Sequence, residues 1–342
     1  MTSDDRPLDP PLAVAWDVTP FTARVDTVPQ FDGHHVIVAA GGTLTALAPG
    51  DGAIRWQLDT GVDATNLALA RDAALVSGFT KADSHLVCAD SDGAVRWRQD
   101  GWSISGDSLG RDGDDFVVLG RRGDDETLMC RVLRADTGDQ RIAFVCHAST
   151  MPDRVSRGFV YSGRSTAPEY AGLFVYDLAS ERTEHLHQAS HGVRSRPADS
   201  IVVFDTRDYG VQGELVAVDV ASRAVLWSGV GGINIALAVD RGQLLATESR
   251  GESDVTLTLR EIQSGRLIWR SDPFSGSDAE PILLGDLAIV CIDAHRLMLF
   301  DRATGAAVQT MDLWVSAWCP TPLGLFCVDE QHVRCLRHSG AR

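Results

Sequence analysis

The sequence predicts an all-β fold: one eight-bladed β-propeller of four-stranded blades, filling residues 1–342 as a single domain. Three observations predict it. A short phrase recurs, running from an apolar strand through a turn ending in Gly to an apolar strand ending in Trp. The turn markers return at intervals of 35 to 45 residues along the whole chain, the period of a propeller blade. No long stretch carries helical periodicity with caps, so almost no helix is expected.

The phrase reads Leu-Ala-Pro-Gly-Asp-Gly-Ala-Ile-Arg-Trp over 47–56 and Cys-Ala-Asp-Ser-Asp-Gly-Ala-Val-Arg-Trp over 88–97. It returns as Val-Asp-Val-Ala-Ser-Arg-Ala-Val-Leu-Trp over 218–227 and Arg-Glu-Ile-Gln-Ser-Gly-Arg-Leu-Ile-Trp over 260–269. Gly52, Gly93, Gly138, Gly265, Gly305 and Gly340 carry the turn, and Glu181 and Arg223 stand in its place in two degenerate copies. The last copy stops at Arg342, before its final strand. Leu12-Ala-Val-Ala-Trp16, an apolar run ending in Trp, is the candidate to supply that strand and close the ring. Closure would leave only short, protected sheet edges, so a monomer is expected.

Each copy divides into strands A to D. In the second, A falls near Asn66–Ala70, B at Ala74–Gly78, C at His85–Ala89 and D at Ala94–Arg98, with Ser91-Asp-Gly93 as the C–D turn. The runs Val36–Ala40, Phe116–Leu119, Ile201–Phe204 and Ala288–Ile292 are continuously apolar. Half-exposed strands alternate, so these four are expected between neighbouring blades, buried on both faces.

In the form apolar–Asp–x–x–Thr–Gly–x–x–x–Trp, the phrase resembles the tryptophan-docking repeat of the pyrroloquinoline-quinone-like propellers. That family includes quinoprotein dehydrogenases and an outer-membrane-assembly lipoprotein. The resemblance covers nearly the whole chain and implies eight blades. It further implies that the Trp of one blade packs over the turn of the next, here Trp16, Trp56, Trp97, Trp227 and Trp269. Ile142, His185 and Gln309 hold the slot in three other copies. The dehydrogenases' quinone site uses a disulfide between adjacent cysteines and a calcium held by carboxylates and Asn. No two cysteines are neighbours here, and Asn66 and Asn234 are the only asparagines, so no cofactor is expected. The lipoprotein's leader is unmatched too: Met1-Thr-Ser-Asp-Asp-Arg-Pro7 lacks a basic segment followed by an apolar one.

Seven cysteines, an odd number, fall mostly within apolar strand runs, as small buried hydrophobes do. With no export pattern and no run long enough to span a bilayer, the chain reads as cytoplasmic, reduced and free of the membrane. A net charge of −16 argues against nucleic acid, whose phosphates need a basic surface, and suits a basic or peptidic partner. Lys81 is the only lysine; the preference for Arg reads as bacterial coding bias.

Four local patterns carry less than their form suggests. Gly106-Asp-Ser108-Leu-Gly110 matches a nucleophile elbow, but a strand follows it where the chemistry needs a helix. Glu184-His185-Leu-His187 with His191 resembles a metal cluster, yet His185 holds the Trp slot and is expected to pack against a neighbouring blade. No metal is expected. Gly229-Val-Gly-Gly232 lacks the helix of a phosphate cradle and reads as a tight loop. Asp112-Gly-Asp-Asp115 and Asp124-Asp-Glu126 lack the ligand spacing of a calcium loop.

Fold geometry is the better guide to a site. The D–A and B–C loops of a propeller gather on one face, where the inner strands begin. Asp107, Arg154, His191, Arg196, Asn234, Glu280 and Trp318 are expected there as ligand-binding residues, with Thr27 and Asn66 on the same rim and Arg194 and Trp314 close by. The longer B–C loops, 164–172 and 205–213, carry Tyr170 and Tyr209 and are a second candidate surface. The leading expectation is a binding or scaffold protein that engages a protein, a peptide or a small polar ligand through this face. The alternative is a cofactor-independent lyase, cyclase or hydrolase at the channel mouth. There Asp107, His191 or Glu280 would serve as acid or base, and Arg196 would stabilise an anion.

Overall fold

A computed structural model describes the chain apart from residues 1–11, 26, 80–83, 105–108, 123–127, 146–151, 157–158, 163–171, 189–192, 199, 209–210, 231–234, 250–253, 277–278 and 339–342. Every regular element among the described residues is a β-strand. The strands pair into antiparallel sheets that follow the copies of the repeat. The second copy forms Asp63–Ala70, Ala73–Phe79, Ser84–Asp90 and Val95–Ser103, each strand pairing with the next. Each inner strand approaches the inner strand of the following unit, and Ala317–Thr321 approaches Gln30–Phe31.

The four apolar runs are all second strands, and each of their residues is at most 6% exposed. They sit between sheets because neither face offers a polar side chain to water. Their side chains split alternately between two clusters. Ile37 and Ala39 face the second unit with Leu67 and Val76, whereas Val36 and Val38 pack with Phe326 and Val333. The core is therefore a series of apolar layers between adjacent sheets, each drawing on two units of sequence.

The outer strand carries the Trp slot, and a β-bulge aims it. In the first unit, Ile54 and Trp56 lie opposite the consecutive residues Leu47 and Ala46, so Arg55 is the extra residue. A bulge bends its strand and turns the next side chain out of the ordinary alternation. The same shift precedes Trp16, Trp97, Ile142, Trp227, Trp269 and Gln309. Each of the five tryptophans then reaches the following unit. Trp16, Trp56 and Trp97 donate their indole N–H to the carbonyls of Pro49, Ser91 and Ala135 at 3.0, 2.7 and 3.0 Å. Trp227 and Trp269 donate to Ile262 and Arg302, both at 2.7 Å.

The indoles explain the glycines beneath them. At Gly305, where φ is 75°, a Cβ would stand 2.6 Å from Trp269 Cδ2. A side chain there would meet both a left-handed backbone and an aromatic ring. After two of the slots that lose their Trp, the turn loses its Gly as well. Ile142 and His185 precede turns in which Glu181 and Arg223 hold φ at 55° and 59°. A residue with a Cβ tolerates this backbone once no ring presses on it.

His185 departs from the expectation that it packs against a neighbour. In its unit Glu184 pairs with Val175 and His185 with Phe174, and the register shift falls only before His187. The bulge comes two positions too late to serve the slot. A one-residue change of register moves a side chain to the other face of a strand, and His185 is exposed.

Gln309 replaces Trp with a different device. Its amide accepts from the Leu12 N–H at 3.1 Å and donates to the Leu12 carbonyl at 3.0 Å. Leu12, 1% exposed, leads into Ala13–Val18, which pairs antiparallel with His332–Arg337. Asp17 ties the two strands further: it faces His332 Nδ1 at 2.8 Å and accepts from Arg334 Nε at 2.9 Å. Burial pushes the Asp17 carboxyl up, but the hydrogen bonds from His332 and Arg334 outweigh it and hold the group below its usual range.

One junction is irregular. Val95–Ser103 runs beyond its own unit to pair Trp102 and Ser103 with Arg122 and Arg121, merging the second and third units into one sheet. Trp102, 2% exposed, has the guanidinium groups of Arg122 and Arg131 over its ring, at 5.6 and 5.2 Å from the ring centre.

Candidate interaction face

The face where inner strands begin is best described in the last two units. Leu287–Ile292 and Arg296–Asp301 are joined by a tight turn in which Asp293 and Ala294 take left-handed φ values of 50° and 58°. The connection from Ala307–Asp312 to Ala317–Thr321 crosses directly over that turn. Two backbone bonds bolt it down: Leu313 donates to the His295 carbonyl at 3.0 Å, and Val315 to the Ala294 carbonyl at 2.7 Å. Val315 is buried at 1% while Trp314 between them is 63% exposed. The Trp314 ring lies 5.5 Å from the His295 imidazole, inclined at 40°.

Of the residues expected at the rim, Glu280 lies near the start of Ala279–Leu284, opposite Cys291, with an exposed side chain. Trp318 lies opposite Cys327, half-buried against the apolar layer between the last two units. Its role is therefore partly structural. Arg154 and Arg196 fall on Pro152–Ser156 and Val193–Ala198, opposite Tyr161 and Val203; of these two the structure describes the backbone. Asp107, His191 and Asn234 lie outside the described residues, as do Ser108, 164–171 and Tyr209.

Two further rim residues serve the fold. Thr27 is 2% exposed and exchanges hydrogen bonds with the Ala39 backbone at 2.9 and 3.1 Å. Asn66 donates to Ser77 Oγ at 3.0 Å. His295 and the Asp293–Ala294 turn were not among the sequence candidates. The available signal was the three-residue interval Asp293-Ala-His295 between two apolar runs, too short for anything but a hairpin turn.

The opposite face offers little volume. A crevice between the first two units, lined by Asp32, Trp56, Asp72 and Asp90 among others, has room for about one water molecule. In the corresponding place between the sixth and seventh units Arg302 fills the space, with bonds of 2.6 Å to Asp240 Oδ2 and Gln243 Oε1 and 2.9 Å to the Gly285 carbonyl. Among the described residues no group of three or more His, Cys, Asp or Glu is placed to hold a metal ion. Burial pushes the Cys88 thiol up to about 12 and that of Cys319 to about 11, so neither is a nucleophile near neutrality. No described helix is long and apolar enough to cross a membrane.

Sheets of four antiparallel strands, repeated along the chain with outer-strand tryptophans reaching the next sheet, define a β-propeller repeat protein. The profile of the outer membrane protein assembly factor BamB matches residues 13–103 and 77–311, and the chain belongs to that family. Among solved structures it is similar to BamB from Moraxella catarrhalis, with a TM-score of 0.70 and 13% identity over 95% of this chain and 99% of that one. It is also similar to the computationally designed Ika8 protein, with a TM-score of 0.74 and 13% identity over 95% and 99%. Quinohemoprotein alcohol dehydrogenase from Comamonas testosteroni gives a TM-score of 0.68 and 10% identity over 97% of this chain and 77% of that one. At these identities the likeness is one of fold. No curated protein sequence matches the chain.

Proposed function

We propose that this protein is a binding scaffold: an eight-bladed ring, closed by the strand Ala13–Val18, that engages a protein partner on the face bearing the D–A and B–C loops. The observation that carries the reading is the rigid, aromatic-bearing junction of the last two units, where Trp314 stands open on a loop held by backbone bonds at both neighbours. Family membership points the same way, since the family is described as an assembly factor. The pairing of Ala13–Val18 with His332–Arg337, and the approach of Ala317–Thr321 to Gln30–Phe31, support the closed ring. Glu280, Trp318, Arg154 and Arg196 are the proposed contacts, with Asp107, His191 and Asn234 on the same rim. A reduced, cytoplasmic monomer completes the proposal.

A photo-activated cross-linking residue placed at Glu280 on this face, and at Asp51 on the opposite one, tests the assignment in extract from the source cells. The expected result is one identified partner, captured from position 280 and lost when Arg196→Ala is added. Capture from position 51 alone, or from neither position, would overturn it.

A further inference from the structure

Arg334 stands where three parts of the chain meet, and its side chain is 12% exposed. Nε donates to Asp17 of the closing strand at 2.9 Å. Nη1 donates to Asp329, which ends the strand Gly324–Asp329, at 3.3 Å. Nη1 also donates, at 3.3 Å, to the Trp314 carbonyl on the loop that crosses the Asp293–Ala294 turn. A planar fork of donors bridges acceptors in fixed directions, as a single ammonium cannot.

The chain that follows the closing strand leans on the same unit. Gln331 Nε2 donates to the Thr22 carbonyl at 2.9 Å, and the Val25 N–H donates to the Glu330 carbonyl. Glu330 holds a left-handed φ of 45° in the turn that leads into His332–Arg337. Phe21 and Val25 are buried at 7% and 3%. Residues 17–25 therefore reach the loop face twice: directly at the Glu330–Gln331 turn, and through Arg334 at the Trp314 loop. That loop is held by three backbone amides. Leu313, Val315 and Ser316 donate to the carbonyls of His295, Ala294 and Val328 at 3.0, 2.7 and 2.8 Å.

From this we infer that Arg334 couples ring closure to the order of the loop face: the Trp314 loop is fully held only while Ala13–Val18 is docked. A strand that leaves takes Asp17 away from Arg334 and slackens its grip on the Trp314 carbonyl. Coupling of this kind is reciprocal, so a partner seated on the loop also steadies the strand. The inference rests on the closed ring and the loop-face reading, and adds a route by which one governs the other.

The test reads hydrogen exchange in the full chain, on peptides spanning 313–316, 13–18 and 63–70. The last lies in the second unit and serves as reference. Arg334→Ala should speed exchange about fivefold at 313–316 and at 13–18, with 63–70 unchanged. The Asp17 carboxylate is bonded to His332 and Arg334 and not to the loop itself. Asp17→Asn should nonetheless speed 313–316 about twofold. Arg334→Lys should restore 13–18 more than 313–316, since an ammonium can answer Asp17 without bridging to the carbonyl. Wild-type exchange at 313–316 in Asp17→Asn would overturn the coupling, whatever Arg334→Ala does. So would an equal rise at 63–70, which would make the effect one of global stability. If cross-linking from position 280 still captures a partner in that event, the loop-face reading stands and only the coupling falls.

Discussion

Gly305→Ala tests the coupling between a turn and the tryptophan above it. The new Cβ would stand 2.6 Å from Trp269 Cδ2 on a residue whose φ is 75°. The left-handed backbone costs about 1 kcal/mol net, after allowing for the smaller freedom of alanine in the unfolded chain. Crowding against a well-packed ring adds about 1–3 kcal/mol. The single substitution should therefore cost about 2–4 kcal/mol. Trp269→Ala removes a side chain that is 8% exposed and leaves the Arg302 carbonyl without its indole donor. It should cost about 3–5 kcal/mol. With the ring gone only the backbone cost of Gly305→Ala remains, about 1 kcal/mol, so the pair should couple by about 1–3 kcal/mol. Urea unfolding of the four proteins at constant slope measures the cycle. If Gly305→Ala costs the same in both backgrounds, to within about 0.5 kcal/mol, the ring does not dictate the glycine and the argument fails.

Gln309→Ala removes both amide bonds to Leu12 and should cost about 1–3 kcal/mol, with faster hydrogen exchange at the Leu12 amide and along Ala13–Val18. Slow exchange there despite the substitution would mean that strand pairing alone holds the segment. Because the Asp17 carboxyl is held below its usual range, its contribution is present above the unfolded value, near 3.8, and is lost as pH falls through the lower folded value. Asp17→Asn should flatten stability in that acid window, by less than about 1 kcal/mol because the pair is half exposed; an unchanged pH profile would discount the tie. A thiol reagent should count seven groups in denatured, unreduced protein and react slowly in the native protein with Cys88, Cys327 and Cys335, whose thiols are buried and raised; five or fewer would contradict a reduced chain.

The sequence made the periodic part of the fold legible because its cause is local. A turn glycine, an apolar strand and a terminal Trp follow one another within ten residues, so strand positions in the second unit came out within a few residues of Asp63–Ala70 through Val95–Ser103. What escaped depends on register. His185 aligns with the tryptophans by counting, yet the bulge that would aim it comes after it instead of before, and no residue type announces a bulge. The pairing of Trp102 with Arg122 across two units was equally silent, since both residues fit their own strands. Glu280 and Trp318 were placed near the starts of inner strands by position in the repeat, and both lie on such strands. The turn at Asp293–Ala294, which carries no Gly, was passed over although its backbone is the one glycine favours.

The five indole bonds bear on how the molecule comes apart. A ring of sheets holding only its neighbours is as strong as its weakest seam, and the seams here are unequal. Those spanned by Trp16, Trp56, Trp97, Trp227 and Trp269 each carry an indole latch. Those spanned by Ile142 and His185 are consecutive and carry none, though Arg223 pairs with Glu184 across the second. Opening should begin at this pair, between the third and fifth units, and spread outward, so the strands Gly172–Asp177 and Arg182–Gln188 should exchange their amide hydrogens first. The protein would then have a built-in parting line, centred on its fourth unit.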